Sequence, residues 1–202
     1  YVAGQTFAGA AELGWTNAAA TNLTILGGYA SSGTPGSWSD GTPTILTRAS
    51  TVSNRIFTIS GIVAGTLGRV TVTDGYYTNN VDGTGWNNPG RGGGLYITNS
   101  SLNIVSCIVS NNRVGMENQG EWYWGGGVYS VNSSVRMSNC VVKANVISWS
   151  QDSGLVGAGI CVQGGACDIQ STIIAENLAE LHSLSRGAGM FLDYAADADI
   201  QL

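Results

Sequence analysis

Charged residues are scarce in this chain, and it has no long apolar run. Only 10% of the 202 residues are charged, Lys143 is the sole lysine, and the formal net charge is −5. So few basic residues argue against nucleic-acid binding, which depends on neutralising phosphates. No uninterrupted apolar stretch of about 18 residues occurs, so the sequence contains no candidate membrane-spanning helix.

Proline, histidine and cysteine are also rare, with three, one and four residues. Disorder normally requires low hydrophobicity and high charge, whereas 43% of this chain is hydrophobic, so we expect it to fold. Cys161 and Cys167 have no companion pair, and His182 lies in a different predicted loop, which disfavours a zinc site. We expect one domain without a metal or cofactor.

Glycine is abundant, with 30 residues, and it marks an internal repeat. Residues 91–112, 124–145 and 157–177 are copies of one pattern, and a fourth copy starts at residue 187. The first glycines of the copies, at 92, 125, 157 and 187, recur at intervals of 33, 32 and 30 residues. From the third position of the glycine motif to a shared asparagine the spacing is 18 residues in each complete copy. A constant core with loops of variable length is typical of one coil of a solenoid.

The repeats predict β-strands. Apolar residues alternate along each copy, as in the columns Leu102/Val135/Cys167, Ile104/Met137/Ile169 and Val109/Val142/Ile174. Here a column means the residues at equivalent positions of successive coils. Glycine, asparagine, serine and β-branched residues disfavour helices, and leucine does not recur at helical spacing. We therefore expect an all-β parallel β-helix with coils of about 30–33 residues.

Two motifs resemble the repeats of polymorphic outer membrane proteins, in which Gly-Gly-Ala/Gly-aliphatic is followed by aromatic-x-x-Asn. The first motif is Gly93-Gly94-Leu95, Gly126-Gly127-Val128, Ala158-Gly159-Ile160 and Ala188-Gly189-Met190. The second begins with an aliphatic residue in place of the aromatic one: Val109-x-x-Asn112, Val142-x-x-Asn145 and Ile174-x-x-Asn177. The resemblance covers nearly the whole chain and implies a right-handed β-helix exposed at a cell surface.

The chain is predicted to be a single domain, 1–202, with amino-terminal coils over 1–67 and regular repeats over 68–202. Short strands are expected within 1–7, 22–29, 42–49, 54–60 and 68–77. In the last of these, Val70 aligns with Cys107, Val72 with Val109 and Gly75 with Asn112. The fourth copy stops at residue 202 before its asparagine, so we expect a segment of a longer surface protein.

Three asparagines and two cysteines form columns with expected structural roles. Parallel coils lie roughly 4.8 Å apart, so Asn112, Asn145 and Asn177 are predicted to stack in a hydrogen-bonded ladder. Cys107 and Cys140 are expected to be either stacked buried thiols or an inter-coil disulfide, which would need local adjustment. Of the other two cysteines, 161 is predicted to point outward and 167 inward, so they should not bond to each other.

The loops between coils hold most of the tryptophans. The segments 78–90, 115–124, 148–156 and 180–186 should leave the same edge of the coil. Their aromatic residues could cover the strands as a lid or form a patch for a glycan or protein partner. The patch would consist of Trp86, Trp122, Trp124 and Trp149. A fifth tryptophan, Trp38, lies in an earlier predicted turn. Three glycosylation-type triplets begin at Asn22, Asn99 and Asn132.

The acidic residues do not form the clusters that β-helical polysaccharide lyases and hydrolases require. They are scattered over different columns, as Asp40, Asp74, Asp82, Asp152, Asp168 and Asp193. Asp197 and Asp199 form a near pair, but a one-residue shift in the last coil would turn both outward. We therefore expect a non-catalytic, extracellular structural or adhesive β-helix, a surface passenger segment or a fibre subunit that associates end to end. The alternative is a carbohydrate-binding or pectate-lyase-like protein that uses the tryptophan-bearing loop face.

Overall fold

The structure is a computed structural model, and it describes residues 1–16, 23–30, 42–78, 90–115, 123–148, 154–180 and 185–201. Strands are the only regular elements in these ranges. The described residues include no helix that is long and apolar enough to cross a membrane. The strands are β1 Thr6–Gly9, β2 Leu13–Thr16, β3 Leu23–Leu26, β4 Thr44–Arg48, β5 Phe57–Ser60, β6 Gly65–Gly68, β7 Val70–Thr73, β8 Tyr76–Thr78, β9 Leu95–Thr98, β10 Ser101–Val105, β11 Ile108–Ser110, β12 Arg113–Gly115, β13 Tyr123–Trp124, β14 Val128–Ser138, β15 Val141–Lys143, β16 Val146–Ile147, β17 Leu155–Val156, β18 Ile160–Gln170, β19 Ile173–Ala175, β20 Leu178–Ala179 and β21 Met190–Gln201.

The strands stack coil upon coil in parallel sheets. One sheet has the order β1-β4-β7-β11-β15-β19, and a second has the order β8-β12-β16-β20. The largest sheet contains two strand rows, one running through β2, β5 and β9 and the other through β3, β6 and β10. The long strands β14, β18 and β21 extend across both rows. The predicted right-handed parallel β-solenoid is therefore confirmed.

Strand register confirms the alignment of the repeats. Val109 pairs with Val142 and Val142 with Ile174, while Val72 pairs with Val109 one coil earlier. Alternation also orients the side chains as expected, because Val109 and Val142 are fully buried, whereas Ile108 is 39% exposed. The apolar columns meet inside the coils, where one continuous core extends from Trp15 to Ile169.

Tight corners join the strands of one coil. Gly92, which opens the glycine motif, has a φ of +62°, and a Cβ at this position would lie 2.4 Å from the Leu95 carbonyl oxygen. Only glycine fits such a close approach in this left-handed conformation. Gly125, Gly157 and Gly187 repeat the same conformation with φ values of 63°, 60° and 55°. The repeated glycines are therefore turn residues of the solenoid.

The amino-terminal coils differ from the prediction in three places. The first strand is Thr6–Gly9, and within residues 1–5 only Ala3 makes a bridge, to Tyr29. The strands Leu13–Thr16 and Gly65–Gly68 were not predicted. Glycine weakens strand propensity, but the neighbouring coils supply hydrogen-bond partners, so tertiary pairing overrides the local preference. At Gly65 a Cβ would also lie 3.0 Å from atoms of both Trp15 and Leu102, which leaves no space for a larger side chain.

The inter-coil loops of the regular repeats leave from one corner, as predicted. They follow the stacked strands β8, β12, β16 and β20, which form a single sheet. The loop interiors 79–89, 116–122, 149–153 and 181–184 lie outside the described residues. In the last coil, the predicted shift also occurs, since the register slips beside Gly165 and then pairs Cys167 with Ala198 and Asp168 with Asp199.

Candidate functional site

The asparagine column forms the hydrogen-bonded ladder that its spacing predicts. The Asn112 side-chain amide donates to Asn145 Oδ1 at 3.0 Å, and the Asn145 amide donates to Asn177 Oδ1 at 2.9 Å. Each Oδ1 also accepts the backbone N–H of the asparagine one coil earlier, at 3.0 Å. Asn112 and Asn145 are fully buried. Their polar atoms are consumed by the ladder, so these residues brace the coils and offer nothing to a ligand.

The cysteine column consists of free thiols. All four cysteines are buried and unbridged, including Cys107 and Cys140. The Cys107 backbone N–H donates to Cys140 Sγ at 3.4 Å, and the Cys140 thiol contacts the Ile104 carbonyl oxygen at 3.3 Å. The hydrogen bond to Cys140, together with burial, raises the pKa of Cys107. Both side chains belong to the main core, so the structure favours the stacked-thiol interpretation.

The remaining two cysteines point to opposite sides of their strand, as predicted. Cys167 belongs to the main core, whereas Cys161 belongs to a separate outer cluster with Tyr129 and Val156. Desolvation by burial raises the pKa of Cys161 to about 12 and that of Cys167 to about 11. Both groups therefore remain protonated thiols at neutral pH, which makes them poor nucleophiles and poor metal ligands.

Most of the predicted tryptophan patch cannot be placed. Trp38, Trp86, Trp122 and Trp149 lie outside the described residues. Trp124 lies in the short strand β13 rather than in a loop, and its ring is partly buried. It stacks on Tyr129 with the ring centroids 6.1 Å apart, and the Arg91 guanidinium lies 4.7 Å from its ring centroid. Trp124 thus covers part of the strand surface while leaving part of its ring exposed.

Trp124 belongs to a larger stack on the outside of the solenoid, which we call the outer aromatic surface. Tyr96 and Tyr129 lie on paired strands, and their rings are nearly parallel, at 4°, with centroids 5.6 Å apart. Arg55 lies over the ring of Tyr96, and Arg91 lies over those of Trp124 and Tyr129. The surface comprises Arg55, Tyr77, Arg91, Tyr96, Trp124, Tyr129 and Phe191.

Stacked strands hold these side chains in place. Tyr96, Tyr129 and Phe191 share one outward column, while Arg91 and Trp124 are joined by a neighbouring bridge. Burial raises the pKa of Tyr129 to about 12, although Arg91 opposes that shift. The Tyr129 hydroxyl donates to Gln163 Oε1, so the buried phenol has a hydrogen-bond partner. The surface is therefore a rigid array of neutral rings and cationic groups.

A separate polar cleft of about 420 Å³ lies at the corner between the β7 and β8 strands, and its lining includes Arg48, Asp74, Tyr76 and Arg113. Both arginines already have protein partners. Arg48 Nη1 donates to the Val52 carbonyl oxygen at 2.7 Å. Arg113 pairs with Glu180 at 3.7 Å, and its Nε donates to Ser148 Oγ at 2.8 Å. The Arg113 contacts join its coil to the next two coils, whereas the Arg48 contact is local.

Two of the three glycosylation-type triplets begin at asparagines that the structure describes. Asn99 and Asn132 are exposed at equivalent corners of consecutive coils, with φ values of 48° and 49°. This left-handed conformation is one that asparagine tolerates better than most residues, so the corner itself accounts for the choice of residue. Asn22 lies outside the described residues.

The described acidic residues are not gathered into a catalytic or metal-binding cluster. Asp168 pairs with Arg136 at 2.7 Å, and Asp193 accepts a hydrogen bond from Gln163 at 3.3 Å. No group of three or more His, Cys, Asp or Glu side chains within these ranges could hold a metal ion. Asp40, Asp82, Asp152 and His182 lie outside them.

The sequence patterns did not link the rings of Tyr96 and Tyr129 to Arg55 and Arg91. The only available signal was the arginine just before the glycine motif.

Comparison with known proteins gives no match: no family model fits the chain, and no curated protein or solved structure is significantly similar to it.

Proposed function

We propose that this chain is a non-catalytic, extracellular β-solenoid with a structural and adhesive role, serving as a surface passenger segment or a fibre subunit. The outer aromatic surface is the observation that carries this proposal. Its rings and guanidinium groups lie on stacked strands, beside the bridge through Arg91 and Trp124 at which the inter-coil loops return. Aromatic and arginine side chains dominate binding energy in protein interfaces.

The inside and the outside of the solenoid carry different kinds of side chain, and this supports an adhesive role. Inside, apolar columns and the Asn112–Asn145–Asn177 ladder brace the coils. Outside, Trp124 and Phe191 are only partly buried, so their rings are accessible to a partner. A binding surface on rigid strands loses little conformational entropy when a partner docks.

The test is attachment of the purified chain to immobilised glycans and to cell surfaces. Trp124→Ala should reduce attachment by about tenfold, because truncation of an aromatic anchor commonly costs more than 1 kcal/mol. Ile108→Ala is a control, since Ile108 is exposed on another face and lies outside the outer aromatic surface. Equal attachment by the wild type and Trp124→Ala would remove this surface from the proposal.

The second candidate function is carbohydrate binding or cleavage. It is favoured by a polar cavity of about 260 Å³ beside Tyr96, whose lining includes Glu12, Arg55 and Arg91. Incubation with pectin, polygalacturonate and similar polymers separates the alternatives. Turnover would overturn the non-catalytic proposal, whereas binding without turnover would support an adhesin.

The fibre version depends on the edges of the stacked sheets. Strands β1, β2 and β3 begin the stack, and each pairs with one neighbouring strand. Such edges can pair with further coils or with another copy of the chain. Sedimentation and electron microscopy of the purified chain test this version, and a dispersed monomer at high concentration would eliminate it.

A further inference from the structure

The 260 Å³ cavity lies at one end of the outer aromatic surface, and its walls come from distant parts of the chain. Glu12 precedes β2, Arg55 precedes β5, and Arg91 and Tyr96 flank the glycine motif, while Tyr77 lies on β8. Coil stacking brings these five residues together. The cavity is smaller than typical pockets for drug-sized ligands, about 300–1,000 Å³, and suits one sugar ring.

Positive charge exceeds negative charge around this cavity. The carboxylate of Glu12 pairs with Arg55, with Oε2 lying 3.3 Å from Nε, and it also accepts a hydrogen bond from Thr58. Arg91 makes no hydrogen bond or ion pair within the described part of the chain, and its Nε is buried without a partner. The described lining of the cavity therefore holds two guanidinium groups and one carboxylate, and that carboxylate pairs with Arg55 alone. Partly desolvated charge of this kind favours an anionic ligand.

The ring stack fixes the orientation of both guanidinium groups. Arg55 lies between two rings, 4.0 Å from the Tyr77 centroid and 4.6 Å from that of Tyr96. Arg91 lies 4.7 Å from the Trp124 centroid and 5.5 Å from that of Tyr129. A guanidinium that stacks through its face keeps the N–H donors at its edge available to a planar carboxylate.

The same stack argues against an aromatic or apolar ligand. Arg55 and Tyr129 both stack on the ring of Tyr96, so this ring has little face left for a ligand. The lining also offers hydrogen-bonding groups, namely guanidinium donors and the Glu12 carboxylate. A small ligand that carries both a carboxylate and hydroxyl groups matches this set.

We propose that this cavity binds a carboxylate-bearing sugar residue, such as a uronic or sialic acid. The sugar carboxylate binds Arg91 and the available edge of Arg55, and Glu12 accepts hydrogen bonds from ring hydroxyls. The inference deepens the proposed adhesive function and relies on it only for the biological use of the site. The cavity geometry and the charge imbalance carry the assignment.

Calorimetric or NMR titration of the full chain tests the ligand class. The probes are D-glucuronate and N-acetylneuraminate, with glucose as a neutral sugar, acetate as a carboxylate without a sugar, and a short oligoglutamate peptide. At least one acidic sugar should bind about tenfold more tightly than any of the three controls, and added salt should weaken it. Failure of both acidic sugars to bind, or equal binding by any control, would overturn the proposal.

Three variants test the assigned residues. Arg91→Gln should weaken acidic-sugar binding by about tenfold or more, because it removes charge-assisted hydrogen bonds. Glu12→Gln should tighten binding severalfold, since it removes the negative charge that competes for Arg55 while its amide oxygen still accepts hydrogen bonds from the ring hydroxyls. Arg136→Gln is the control, because Arg136 lies on another face in an ion pair with Asp168.

The variant set remains decisive even if Arg91→Gln fails to fold, because misfolding cannot produce the tighter binding expected of Glu12→Gln. Unchanged affinity in both Arg91→Gln and Glu12→Gln, or an equal loss in Arg136→Gln, would overturn the assignment. The site and its use are separable. A chain that binds glucuronate but does not attach to acidic-glycan surfaces would keep the site and refute the adhesive function.

Discussion

Replacing Asn145 with alanine should destabilise the solenoid more than any other single truncation in the ladder. The Asn145 side chain accepts from the Asn112 backbone N–H and from the Asn112 amide, both at 3.0 Å, and it donates to the Val109 carbonyl oxygen at 3.0 Å. Its loss leaves the Asn112 N–H and the Val109 carbonyl buried without these partners. Each of these two orphaned groups costs about 1–3 kcal/mol, so we expect a loss of about 2–6 kcal/mol.

Urea denaturation followed by tryptophan fluorescence measures this loss as a change in the free energy of unfolding. The melting temperature should fall by roughly 4–24 °C, given about 2–4 °C per kcal/mol for a chain of this size. Asn177→Ala should cost less, because Asn177 is only partly buried and water can reach its partners. Asn103→Ala is the matched control, since Asn103 is exposed on β10.

The order of the three variants is the decisive result. We expect Asn145→Ala to be the most damaging, Asn177→Ala intermediate and Asn103→Ala close to the wild type. If Asn145→Ala unfolded at the same urea concentration as Asn103→Ala, the ladder would contribute nothing measurable, and the account of how the coils are braced would be refuted.

Three further predictions concern the core and the corners. Ser130→Ala should raise stability by about 1 kcal/mol in urea denaturation, because Ser130 Oγ is buried without a hydrogen-bond partner among the described residues; a loss of stability would contradict this. Gly127→Ala should prevent folding or lower the melting temperature strongly, since its Cβ would lie 2.7 Å from the Gly159 carbonyl oxygen. Gly14→Ala, with no heavy atom within 4 Å, should be neutral by the same measurement. Thiol-reactive dye should label none of the four cysteines in the native chain and all four after denaturation without reductant; only two labelled thiols would show a disulfide.

The regular repeats were predictable because each coil pairs with an equivalent segment of the next. A fixed spacing of 18 residues from glycine motif to asparagine requires identical backbone paths, and alternation then decides which columns face inward. The Asn145 hydrogen bonds and the burial of Val109 follow directly from that register. The amino-terminal strands were harder to predict, because Gly65–Gly68 is a strand only by virtue of its neighbours.

The solenoid, its period, its inward columns and its asparagine ladder could all be predicted, since these depend on local alternation repeated at a constant interval. The groups on the outside of the solenoid could not, because coil packing brings them together. Arg55 precedes the regular repeats, and the positions of Arg55, Tyr77 and Arg91 in the chain give no sign that they share a cavity with Glu12. Whether these residues lie close together depends on how coils of unequal length stack. That is a long-range property, and no local sequence pattern encodes it.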